Sequence, residues 1–291
     1  MLIYNPPGMN PQPVPTTTVR HLLDAYEVLL LDAYGVLVDR SGPLPGAAAL
    51  IDRLNTAAKP YYILTNSASR LPEAMAAEFQ GLGLPIPAAR IITSGLLLAP
   101  YFAEHGLAGR QCVVLGPEDA CRYVERAGGE VVALSPTAAA EVLVVADQKG
   151  FPMLDGLDQA LSLILRRLDA AQPMHLILCN PDLIYPVAPG QYGFTAGGLA
   201  LMIEGVLHER YPELRLGFAR LGKPHGPIFA EAARRSGARR MVMVGDQLAT
   251  DILGANRYGI DSALLAGGLA RSGVASSGEA IPTYLLPSLT L

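Results

Sequence analysis

The clearest pattern in the chain is a set of short, wholly apolar runs that stop abruptly on polar residues. Val28-Leu29-Leu30-Leu31 ends on Asp32, Tyr61-Tyr62-Ile63-Leu64 ends on Thr65-Asn66-Ser67, and Met241-Val242-Met243-Val244 ends on Gly245-Asp246. A shorter run, Ile91-Ile92, stops at Thr93-Ser94. Apolar runs of strand length without alternation are the signature of parallel strands buried on both faces. Between them lie segments of helical character. Thr18 is placed to cap a short helix reaching Tyr26, residues 46–54 are rich in helix formers and stop before Lys59-Pro60, and a further helix is expected over 71–79. After Gly222-Lys223-Pro224, the apolar residues Ile228, Phe229 and Ala232 recur at helical spacing. Open α/β sheets bind ligands at strand carboxyl ends, so the polar stops are where chemistry is to be sought. Taken singly, Asp32 followed by Gly35 is only a strand and a turn.

This alternation predicts an α/β fold: a doubly wound, Rossmann-like parallel sheet wrapped by helices. From about Gly106 the pattern restarts, with strands over 112–115, 131–134, 142–145 and 176–178 and helices over 117–127 and 157–168. A second α/β domain inserted into the first is the expectation. The stretch 180–193, with Pro181, Pro186, Pro189, Gly190 and Gly193, reads as the loop that ends the insertion, and a helix over 198–207 would lead back to the first sheet. The expected organisation is a Pro-rich extended arm at 1–19, a core of 20–105 and 193–291, and an inserted domain at 106–192. Residues 263–265 and 284–286 read as short terminal strands of the core.

Composition narrows the class. The chain has 291 residues, 51% of them hydrophobic and 16% charged, which suits a globular protein and not a disordered one. The net charge is -4, and the paired arginines Arg166-Arg167, Arg234-Arg235 and Arg239-Arg240 form no longer basic cluster, so a nucleic-acid partner is not expected. Cys112, Cys121 and Cys179 are too few and odd in number for a disulfide framework and read as reduced core thiols. No apolar run approaches the roughly 20 residues of a membrane span. The amino terminus has neither a charged nor an apolar leader region, and a soluble cytoplasmic protein is the expectation.

Asp32, Thr65, Lys223, Asp246 and Asp251 each fall just after an apolar strand or just before a helix. In this order, the chain resembles the haloacid dehalogenase superfamily of aspartate-nucleophile hydrolases. Leu64-Thr65-Asn66, Gly222-Lys223-Pro224, the run from Val244 to Ile252 and Cys179-Asn180-Pro181-Asp182-Leu183-Ile184-Tyr185-Pro186 are similar in wording to its class IIA phosphatases. The resemblance covers roughly residues 20–287. It implies an inserted cap domain and hydrolysis of a small phosphorylated metabolite, with Asp32 as the nucleophile that forms an aspartyl phosphate. It implies Mg²⁺ held by Asp32, Asp246 and the backbone carbonyl of Tyr34, with Asp251 orienting a metal-bound water or Lys223. Thr65 and the amide of Asn66 would bind the phosphate, Lys223 would offset charge on nucleophile and phosphate, and Asn180 and Asp182 would cover the substrate from the cap side. Since relatives pair through their caps, a homodimer is compatible with the resemblance. The residue types suit the chemistry: a carboxylate and a phosphate dianion repel unless a cation lies between them, and Mg²⁺ prefers oxygen ligands. A lysine at a helix start faces the positive end of the helix dipole, which favours a functional role for Lys223 over a solvated one.

One residue departs from the family's pattern. In its phosphatases the second residue after the nucleophile is an aspartate that protonates the leaving group, and here it is Tyr34. General acid–base catalysis contributes roughly 10²–10⁴-fold, about 3–5 kcal/mol of barrier, and a phenol with a reference pKa near 10 is a weak acid at neutral pH. Tyr34 also matches the Asp-x-Tyr-Gly wording of the true haloacid dehalogenases, which displace halide from carbon without metal. Three readings stand: a Mg²⁺-dependent phosphatase, slow or suited to good leaving groups; hydrolysis at carbon; and a phosphometabolite-binding protein with impaired turnover. The acidic pair Asp246 and Asp251 and the cap wording favour the first. His225 reads as an ordinary polar residue at a helix start, and Tyr185, Tyr192 and Phe194 are candidates for the site entrance or for packing.

Overall fold

The computed structural model describes residues 13–135, 137–188, 190–266 and 278–291, so most of the expected arm, 1–12, lies outside the described residues. Among the described residues the chain builds two parallel sheets. The first runs in the order Tyr284–Leu286, Asp261–Leu265, Met241–Gly245, Val28–Asp32, Tyr61–Thr65, Ile91–Thr93, with every neighbouring pair parallel. Register pairs Leu31 with Val244 and Asp32 with Leu64, which brings the polar ends of three adjacent strands out at one edge. The chain enters at Val28–Asp32, grows to one side, and later returns to grow on the other. Strand order therefore reverses at Asp32, the position where open sheets leave a crevice for ligands.

Side chains alternate across the sheet as a period of two requires. Leu29, Leu31, Val242 and Val244 pack with Leu50, Ile51 and Leu54 on one face. Leu30, Tyr62, Leu64 and Met243 pack with Ile228, Phe229 and Ala232 on the other. Each such leucine buries apolar area that stabilises the fold by about 1.5–3 kcal/mol, and burial on both faces is why these strands carry no polar alternation. Helix Val19–Ala25 begins where expected, with the Thr18 hydroxyl accepting a hydrogen bond from the His21 amide. Ahead of it, Thr16 pairs with Leu285, so the described end of the arm lies along the last strand of the sheet.

The second sheet, an α/β cap domain inserted into the core, runs in the order Ala219–Arg220, His175–Leu178, Val142–Val145, Gln111–Leu115, Glu130–Val131, again all parallel. One face, through Cys112, Val142 and Ile177, shares a core with Ile92, Leu98 and Phe102 of the first unit. The other face, through Val113, Leu143 and Leu178, is covered by helices Met153–Asp169 and Ala196–Arg210. This corrects the expected boundary at 192/193. The helix expected to lead back to the first sheet instead buries Leu199, Ala200, Ile203 and Leu207 on the second, and the chain returns only after Arg220. Helical periodicity shows that a helix has a buried stripe and not which sheet receives it.

Two local expectations also change, and one helix is added. The loop 180–193 contains an antiparallel pair, Ile184–Ala188 with Gln191–Phe194. The strand expected over 131–134 is only Glu130–Val131, an edge strand of two paired residues. Helix Leu98–His105 is an addition to the expected elements, and its Pro100 sits in the first turn, where proline is tolerated. Cys112 and Cys179 are buried, Cys121 is half-buried, and none forms a disulfide. Among the described residues no helix is long and apolar enough to cross a membrane.

Candidate active site

The parallel register of Val28–Asp32 and Met241–Gly245 delivers Asp32 and Asp246 side by side at the strand ends. Two glycines make room for them. Gly35 has φ +96°, and a Cβ there would lie 2.3 Å from Asp246 Oδ2, so only glycine lets this turn close on the carboxylate. A Cβ at Gly245 would lie 2.2 Å from Asp251 Cβ. After Asp246 the chain makes one wide π-helical turn, Leu248–Ile252, a geometry often found at functional sites. It carries Asp251 back toward the strand ends, where the Gln247 amide donates to Asp251 Oδ2 at 3.2 Å.

Lys223 joins these elements. Its Nζ donates to Asp32 Oδ1 at 2.6 Å and to Asp251 Oδ1 at 2.7 Å, and all three side chains are buried. Burial alone would lower the Lys223 value, but the carboxylates of Asp251 and Asp32 outweigh it and hold the ammonium above its ordinary range. Burial raises the Asp32 carboxyl to about 8; Lys223 opposes the shift, while Asp251 and Asp246 add to it. The cause is plain electrostatics: three buried carboxylates, with oxygens within 4.8 Å of one another, share one ammonium. When all are ionised the cluster carries a net charge of -2. An all-oxygen, buried donor set with that excess fits a hard divalent cation.

Asn66 ties three chain segments together. Its Oδ1 accepts from the Lys223 amide at 2.7 Å, and its Nδ2 donates to the Lys223 carbonyl and to Asp182 Oδ1, both at 2.9 Å. A Cβ at Gly222 would lie 2.5 Å from Asn66 Oδ1, which explains the small residue before Lys223. Ser94 Oγ donates to the Asn66 carbonyl at 2.7 Å, and Thr65 Oγ1 accepts from the Ser67 amide at 3.2 Å. On the cap side, Asn180 Oδ1 accepts from the Asp182 amide at 3.0 Å, and the Thr195 hydroxyl and Gly197 amide both donate to the Asp182 carbonyl. Burial raises the Asp182 carboxyl above the usual carboxylate range, against the Asn66 hydrogen bond and the charge of Lys223.

These groups surround a cavity of about 550 Å³ between the two sheets. Asp32, Tyr34, Thr65, Asn66, Asn180, Asp182 and Lys223 line it, while Asp246 and Asp251 lie wholly buried beside Asp32. The structure thus brings every predicted site residue to one place. Tyr34, 40% exposed, stands at the wall. Tyr185 lines the cavity, but Tyr192 and Phe194, 52% and 66% exposed, are not among its lining residues. His225 precedes helix Gly226–Ser236, half-buried and outside the lining. Sequence reasoning missed Arg40, Arg70, Glu78, Asp147 and Lys149. For Asp147 the signal was present: it follows the apolar run Val142–Val145 much as Asp32 follows its own. The others sit on one helix, Pro72–Gly81, or in loops whose approach to the site is tertiary.

Comparison with known proteins agrees with this geometry. The family described as haloacid dehalogenase-like hydrolase matches residues 29–130, and one described as HAD-hydrolase-like matches residues 220–291. The chain is 26% identical over 267 residues to a dihydroxyacetone phosphatase of Corynebacterium glutamicum (strain R), covering 89% of this chain and 88% of that one. It is 25% identical over 272 residues to an acid sugar phosphatase of Staphylococcus epidermidis, covering 91% and 96%. A crystal structure of a possible sugar phosphatase from Cytophaga hutchinsonii superimposes with a TM-score of 0.79 at 31% identity, covering 95% of this chain and 98% of that one. Likeness at that identity over nearly the whole of both chains, with the segments that carry Asp32 and the acidic pair each matched by a family of their own, places the protein in the haloacid dehalogenase superfamily.

Proposed function

We propose that the protein is a Mg²⁺-dependent phosphatase of small phosphorylated metabolites, carbohydrate phosphates among them, working through an aspartyl phosphate on Asp32. The observation that carries this reading is the buried set Asp32, Asp246 and Asp251 with Lys223 bridging two of its members. The activities named for the relatives, on dihydroxyacetone phosphate and on sugar phosphates, support the substrate class. Asp32, Asp246 and the Tyr34 carbonyl would hold the metal, which when bound supplies positive charge beside the nucleophile and the phosphate oxygens. Asp32 Oδ attacks phosphorus in line with the leaving oxygen. Thr65 and the Asn66 amide donate to the phosphate, and Lys223 holds Asp32 in its attacking position while offsetting charge that builds on the transferring group. Asp251 fixes Lys223 from the far side. The cap closes the site from above and limits water near the ester.

The test is release of inorganic phosphate from a panel of sugar phosphates, triose phosphates, glycerol phosphate and acyl phosphates with Mg²⁺. Turnover on at least one, abolished by chelator and by Asp32→Asn, is expected. No turnover on any, or turnover unaffected by Asp32→Asn, would overturn the reading.

A further inference from the structure

The missing acid at position 34 leaves the reaction with an alkoxide to protonate and no aspartate beside the nucleophile to do it. Besides Asp32, three carboxyl groups line the cavity. Glu78 is held in an ion pair by Arg70. Asp147 is turned onto its own loop, where Oδ1 accepts from the Lys149 amide at 2.9 Å. The third, Asp182, differs from both. One of its oxygens is fixed by Asn66, the residue whose amide and neighbour Thr65 border the phosphate position, and the other accepts no hydrogen bond among the described residues. Its backbone is locked at both ends, by Asn180 on the amide and by Thr195 and Gly197 on the carbonyl. The side chain is therefore held by the cap-side linker, and Asp182 lines the same cavity as Asp32.

We propose that Asp182 is the general acid of this enzyme, donating its proton to the leaving oxygen in place of the residue at position 34. The inference rests on the phosphatase reading and adds a catalytic residue to it. As Asp32 Oδ forms its bond to phosphorus, the ester P–O bond breaks, and the Asp182 carboxyl proton passes to the departing alkoxide, which leaves as the neutral alcohol. Asp182, now a carboxylate, takes a proton from the water that attacks the aspartyl phosphate. The second P–O bond breaks, inorganic phosphate forms, and both carboxyl groups return to their starting states. Burial favours the protonated form that the first half-reaction needs; of the charged groups that act on Asp182, Asp251 favours it as well and Lys223 opposes it. Tyr34, exposed at the cavity wall, is then free of the acid role that its phenol performs poorly.

The experiment compares two leaving groups in the same variants. Asp182→Asn is expected to slow first-turnover release of the alcohol from an alkyl ester such as glycerol phosphate by about 10²–10⁴-fold. On p-nitrophenyl phosphate, whose phenolate departs without a proton, the first-turnover burst of phenolate should slow by less than about 10-fold, even though later turnovers slow with loss of the base, and that burst also shows the variant is folded. Adding Tyr34→Asp to Asp182→Asn should recover alkyl phosphate turnover. Equal first-turnover losses on the two substrates would mark Asp182 as structural and overturn the inference while leaving the phosphatase reading intact, as would no first-turnover loss on either. A wild-type protein inactive on these two and on every phosphate of the panel above would instead sink the phosphatase reading itself, and this inference with it.

Discussion

At the scale of single residues, the site is a problem of packing charge, and the glycines decide whether it can be built. Gly35 combines a left-handed backbone with an approach by Asp246 that leaves no room for a methyl group. Gly35→Ala is expected to lose about 1–3 kcal/mol of stability in urea titration and, in addition, its Mg²⁺ activation, because Asp246 must move. Gly42 offers the control: its φ is +120°, but a Cβ there meets nothing within 4 Å. Gly42→Ala should lose stability and keep its Mg²⁺ dependence, and the same Mg²⁺ response in both variants would show that Asp246 does not need the space. Asp32, Asp246, Asp251 and Lys223 are legible in the sequence alone, because each sits at a strand end or helix start where the fold puts ligands. The role of the Asn66 side chain is not. It acts through hydrogen bonds to Lys223 and Asp182, which lie more than a hundred residues away in sequence.

At the scale of elements, the buried strands are legible almost to the residue, since Val28–Asp32, Tyr61–Thr65 and Met241–Gly245 are apolar throughout and end on chemistry. Short or half-exposed elements are not: the Ile184–Phe194 hairpin holds two prolines at residues 186 and 189 and exposes Ile184 and Phe194, so it carries neither a buried run nor a clean alternation. Helix Gly226–Ser236, which follows Lys223, is tied across its last turns by Glu231, whose carboxylate binds both Arg234 and Arg235. The Arg234 hydrogen bonds are the main reason its value falls below 4.5, with Arg235 adding to them against burial. A depressed carboxylate contributes stability that is complete above its unfolded value and is lost as pH falls through the folded one. The melting-temperature gap between wild type and Glu231→Gln should therefore be constant near neutrality and close below about pH 4.5. A gap that instead widened in acid would contradict this assignment.

At the scale of the whole molecule, the site is a seam: Asp32 and Asp246 come from adjacent strands of the core, Lys223 from the segment that returns from the cap, and Asp182 from the cap-side linker. A divalent cation that neutralises the buried excess charge binds only when these parts are assembled, so Mg²⁺ should raise the melting temperature. A free concentration of a hundred times Kd corresponds to about 2.7 kcal/mol, and the shift should vanish in Asp246→Asn. Thermal denaturation with and without Mg²⁺ measures it, and an equal shift in the variant would place the ion elsewhere. The sequence by itself determined the layered α/β class, the insertion of a second sheet, the strand-end aspartates and the substitution of Tyr34, because local hydrophobic period and short motifs are properties of contiguous residues. Only the tertiary structure decided that helix Ala196–Arg210 belongs to the cap, that the chain returns to the core after Arg220, and that Asn66 locks Asp182 onto the cavity. Those facts depend on which apolar face meets which, and on hydrogen bonds between residues far apart in the chain, neither of which leaves a period in the sequence.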